Sequence, residues 1–192
     1  MKPLCVYNVI SPNDNSFLAS FIHVDTNKQM ICYVLDGDSS NTDILLRSIK
    51  QCSLIGFNNK IYDDILLNYI AYQKDVNTKE IHALSNVLIE LHNNNQPPWR
   101  NEDVAFYVNR DVDSIDLSYV STLSPRTRIL KGTREEIIAN AWDRVEDMLN
   151  GLNAYKKEQH YGFRKNYNKT LTSDELLYNY MNNRIGLTNN EL

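Results

Sequence analysis

Two adjacent carboxylates, Asp63 and Asp64, follow an apolar run and an asparagine pair: Leu54-Ile55-Gly56-Phe57, then Asn58-Asn59-Lys60-Ile61-Tyr62. The apolar run reads as a short buried strand and the asparagines as a turn. A helix is expected to start near Tyr62, with Ile65, Leu66, Tyr69 and Ile70 on its apolar face. Successive helical side chains point about 100° apart, so Asp63 and Asp64 must face different surroundings. An Asn-rich turn before an N-terminal aspartate is also a plain helix start.

The other residue types that do chemistry show no such order. His23, His82, His92 and His160 lack metal-ligand spacing. Cys5, Cys32 and Cys52 form no Cys-x-x-Cys pair, which argues against zinc and for packed, reduced thiols. With 6 glycines there is no glycine-rich phosphate loop, and no Gly-x-Ser-x-Gly elbow occurs. Asp36-Gly37-Asp38 starts like a calcium loop, but the later glutamate is missing, so it reads as a turn. Lys156, Lys157, Arg164, Lys165 and Lys169 alternate with Tyr155, Tyr161, Phe163 and Tyr167. That mixture suits a phosphate backbone with stacked bases, and equally a solvated helix face and loop.

The elements that position these groups can be read in order. Leu4–Ile10, Phe17–Val24 and Met30–Leu35 are β-prone runs separated by polar turns, an antiparallel meander. Asp43–Gln51 follows as a helix capped by Asn41 or Thr42, and then the strand and helix around Asp63. Asn77-Thr78-Lys79-Glu80 is a capping box for a helix to about Leu91. Val104–Val108 reads as a short edge strand and Ser114–Leu117 as another strand. Thr133-Arg134-Glu135-Glu136 caps a helix through Ala141, and Thr172-Ser173-Asp174-Glu175 caps a last helix through Tyr180. The stretch 150–170 reads as an irregular basic connection. The sum is one α/β domain over 1–192, a mixed sheet of three antiparallel strands then parallel strands, with helices on both faces.

A chain of 192 residues with 42% apolar and 23% charged residues is an ordinary soluble globular composition. The net charge of −4 argues against a protein that coats nucleic acid. Residues 1–123 carry 9 Lys+Arg against 15 Asp+Glu, whereas 124–192 carry 11 against 9. No secretory signal and no apolar run of membrane-spanning length is visible, so a cytoplasmic protein with no membrane partner is expected. Asparagine is unusually common, which fits an AT-rich genome.

Asn58-x-x-x-Tyr62-Asp63 resembles the second motif of the DEDD-type (DnaQ-like) 3′–5′ exonucleases, in the form found in bacteriophage DNA polymerases. Three further stretches resemble that family in the same order. Tyr7-Asn8-Val9-Ile10 stands where the family has Tyr/Phe-Asp-Ile-Glu. Ser114-Ile115-Asp116-Leu117 matches a later strand, and Tyr180-Met181-Asn182-Asn183-Arg184-Ile185-Gly186-Leu187-Thr188 matches the last motif. The resemblance spans nearly the whole chain and is loose between Thr133 and Thr170. It implies an RNase H-like fold.

The resemblance also implies what is missing. The family's two-metal hydrolysis needs carboxylates around a pair of divalent ions. Here Asn8, Ile10 and Arg184 occupy three of the four expected carboxylate positions and only Asp63 remains, with Asn58, Tyr62 and Tyr180 in support. The expectation is a catalytically silent, non-enzymatic binding or assembly component, a replication accessory or virion component encoded by a phage. It uses no cofactor, and Arg184 pairs with Asp63. Its partner would be a phage protein such as a polymerase, or weakly bound single-stranded nucleic acid, in the host cytoplasm or packaged in a virion. The alternatives are an active Mg²⁺- or Mn²⁺-dependent exonuclease using neighbours such as Asp14, Asp64 or Asp174, or the exonuclease domain of a larger polymerase.

Overall fold

A computed structural model describes residues 2–119, 125–128 and 130–163, the side chains of 119 and 158–163 excepted. Six strands form one sheet: β1 (Leu4–Asn13), β2 (Ser16–His23), β3 (Gln29–Leu35), β4 (Asp38–Ser40), β5 (Ser53–Gly56) and β6 (Ser114–Asp116). Five helices accompany them: α1 (Thr42–Gln51), α2 (Asp63–Gln73), α3 (Thr78–Asn93), α4 (Glu102–Ala105) and α5 (Arg134–Phe163). The sheet order is β4-β3-β2-β1-β5-β6. β1 to β4 pair antiparallel, and β1, β5 and β6 run parallel. This is the expected α/β mixed sheet of RNase H-like order, extended by the short edge strand β4.

β1 is buried on both faces, as a central strand covered by helices on each side must be. Its odd residues Cys5, Tyr7 and Val9 join one core with Leu45 and Ile49 of α1, Ile65, Leu66 and Ile70 of α2, and Ile81 and Leu88 of α3. Its even residues face α5. Val6 packs with Val145, Met148, Leu152 and Tyr155, and Ile10 with Leu18, Leu35, Ile137 and Ala141. Burial pushes the Cys5 and Cys32 thiols up to about 12, so both behave as packed apolar groups.

The helix starts at Asn77 and Thr133 form where read, one as an N-cap and one as a full capping box. The Asn77 side chain accepts from Glu80 N–H at 3.4 Å. Thr133 N–H donates to the Glu136 carboxylate at 2.8 Å while the Thr133 hydroxyl accepts from Glu136 N–H at 3.3 Å. Asn41 differs: it lies at the start of α1 with φ 59°, and its amide donates to the Ile31 carbonyl at 2.8 Å instead of capping.

Two elements correct the sequence reading. Val104–Val108 is not an edge strand; 102–105 is a helical turn. The Asn101 side chain accepts from Asp103 N–H at 3.0 Å, and this cap with Glu102 and Asp103 in the first turn outweighs the β-branched residues. The stretch 150–163 is not an irregular connection, because α5 runs unbroken for 30 residues. The helix read through Ala141 continues because Val145, Met148, Leu152 and Tyr155 extend its apolar stripe, and their burial overrides the local cost of Gly151. No helix among the described residues is long and apolar enough to cross a membrane. Arg164, Lys165, Lys169, the Thr172 capping box, Asp174, Tyr180 and Arg184 lie outside the described residues.

Candidate functional site

β5 leaves β1 early. Its register with β1 covers only Leu4, Cys5 and Val6, so the β1 edge beyond Val6 needs other partners. After β5 the chain turns sharply through Asn58 at φ 54°. Gly56 permits this turn: a Cβ there would lie 2.6 Å from Asn59 Cβ and 2.9 Å from Tyr7 Cε1. α2 then begins against the open β1 edge. The Asp63 carboxylate accepts from Val9 N–H at 2.9 Å, taking the place of a neighbouring strand. The site thus lies beyond the carboxyl end of β5, where open α/β sheets commonly present functional groups.

Asp63 is 2% exposed, and its partner is Arg128. Arg128 Nη2 donates to both Asp63 oxygens, at 2.7 and 2.5 Å. Arg128 Nε reaches Asn8 Oδ1 at 3.3 Å, and its guanidinium lies 4.7 Å from the Tyr62 ring centroid. A second arginine, the buried Arg144 of α5, donates from Nε to the same Asn8 oxygen at 3.0 Å and also to the Arg126 carbonyl. Asn8 therefore serves as an acceptor for two guanidinium groups, and its buried Nδ2 has no hydrogen-bond partner among the described residues.

The charge balance follows from this geometry. Burial pushes the Asp63 carboxyl up, the Arg128 charge and the Val9 N–H pull it back, and the net direction is upward. Burial lowers Arg128, but the adjoining Asp63 and Tyr62 raise it on balance. Burial and the nearby Arg128 charge pull Arg144 down to about 10. Arg126 ties the 125–128 segment to α5 from outside, with Asp143 at 2.6 Å and Asp147 at 2.8 Å. Its backbone N–H also donates to Asp147 at 3.0 Å.

Asp64 faces elsewhere, as helical geometry requires. It accepts from the Tyr7 hydroxyl, from Asn59 Nδ2 at 3.1 Å and from the Ser114 hydroxyl at 2.5 Å. Lys60 Nζ lies 3.2 Å away. Burial first, and then Asp64 and Asp63, push the Tyr7 hydroxyl well above its ordinary value. This second network joins α2 to β1 and β6 and does not share atoms with the Asp63 cluster.

The expected site residues are therefore sorted as follows. Asn8, Asp63 and Tyr62 come together. Ile10 is near in sequence but packs fully buried in the apolar cluster over α5. Asn58 is exposed and serves the turn, its N–H donating to Asp116 at 2.9 Å, while the buried neighbour Asn59 makes the side-chain contacts. Tyr62 donates to or accepts from Ser85 Oγ at 2.6 Å. Lys156 and Lys157 lie on α5.

Two arginines were missed. Arg128 follows a Ser-Pro pair in a segment with no periodic pattern, and nothing local marks it. Arg144 could have been found, since it falls on the stripe Ile137, Ala141, Arg144, Met148, Leu152, Tyr155, where an apolar residue is expected.

A pair of divalent ions does not fit this donor set. Among the described residues Asp63 is the one carboxylate in the cluster, its oxygens already receive the Arg128 and Val9 donors, and two guanidinium groups hold the Asn8 oxygen. Among the described residues no three His, Cys, Asp or Glu side chains converge as metal ligands. The chain matches no known protein family, no curated protein and no solved structure.

Proposed function

We propose that this chain is a catalytically silent protein of exonuclease-like fold that acts as a non-enzymatic binding or assembly component. One observation carries the reading: a guanidinium group, Arg128, sits on Asp63, the carboxylate a nuclease would use for metal. A fixed positive charge in that position repels the cations that two-metal chemistry needs. The scaffold is then retained for what it holds, since a fold does not by itself imply an activity. The resemblance of Asn58, Tyr62, Asp63 and Ser114–Leu117 to phage exonucleases supports a phage origin and a replication or virion role. No cofactor belongs to this reading.

Labelled single-stranded DNA and RNA incubated with the protein and Mg²⁺ or Mn²⁺ should stay intact. Calorimetry should show no tight binding of either ion. Degradation abolished by Asp63→Ala would select the active exonuclease instead.

Any nucleic acid bound should be held weakly, with micromolar affinity at best at physiological salt, because the chain is acidic overall. Anisotropy of a labelled oligonucleotide should fall steeply with salt and on changing Lys156, Lys157, Arg164 and Lys165 together. Salt-independent binding would count against that surface.

A further inference from the structure

We draw no further inference here: the strongest candidate, the polar cluster of Lys60, Ser114 and Asp64 where the turn after β5 folds back against β6, carries nothing, because Asp64, Lys60 and Asn59 already take up the Ser114 hydroxyl and the cluster belongs to the network described above as joining α2 to β1 and β6.

Discussion

Arg128→Ala is expected to destabilise the protein by about 3–5 kcal/mol at neutral pH, because it leaves a buried carboxylate without its charge partner. Among the described residues Asp63 keeps only the Val9 N–H as a direct donor once the guanidinium is gone. The loss should belong to the stranded charge and not to the pair itself, since a buried pair replaced by apolar groups is often neutral. Asp63→Asn with Arg128→Met should therefore recover much of the stability. Urea unfolding of the single and double variants decides this. A double variant no more stable than Arg128→Ala would show that packing by the arginine stem, not charge, sets the cost.

The same variant should be sensitive to pH in a set direction. Burial already raises the Asp63 carboxyl in the parent, and removing Arg128 removes the largest force pulling it back. A group whose folded value exceeds its unfolded value holds its proton longer in the fold. Its contribution is complete below the unfolded value, about 3.9 for Asp, and is lost as pH rises through the folded value. The Arg128→Ala penalty should therefore be largest near neutrality and shrink on acidification. A penalty that grew as pH fell would contradict this assignment.

Much of the fold was legible because local and tertiary preferences agree. β1, β2 and β3 lie where alternating or continuous apolar runs end at turn residues, and the helix starts at Asn77 and Thr133 lie where expected. The misreadings came where a tertiary term outweighed a local one. The sequence reads as a helix only through Ala141 with 150–170 irregular, but the buried stripe through Leu152 and Tyr155 carries α5 on past Gly151. Val104 looks like a strand residue, but Asn101 caps a helical turn that buries it. At the site, Asn8, Tyr62 and Asp63 could be named because they sit on regular elements with readable spacing. Arg128 could not, since only the folded path of the 125–128 segment over α5 brings it to Asp63. Arg128 is the arginine seen on Asp63, and Arg184, the one read there from the sequence, lies outside the described residues.

Asp64→Ala should cost as much as losing Arg128, through different atoms. Four groups converge on this carboxylate: the hydroxyls of Tyr7 and Ser114, the Asn59 amide and the Lys60 ammonium. Tyr7 is almost fully buried and regains no water when the acceptor leaves, while Asn59 Nδ2 keeps the Ser114 hydroxyl as an acceptor at 3.1 Å. Each stranded donor costs about 1–3 kcal/mol, giving about 3–5 kcal/mol in total once the half-exposed Lys60 is discounted. Tyr7→Phe removes one donor and its need together, and should cost about 1 kcal/mol. In Tyr7→Phe with Asp64→Ala the two losses should not add, because the hydroxyl stranded by the second change is already absent. Losses that add within error in a denaturant-melt cycle would mean the hydroxyl and carboxylate act independently. The network joins α2 to β1 and β6 rather than facing Arg128, so Asp64→Ala should leave the pH dependence of Arg128→Ala in place. If it abolished that dependence, the separation of the two carboxylates' roles by helix geometry would be wrong.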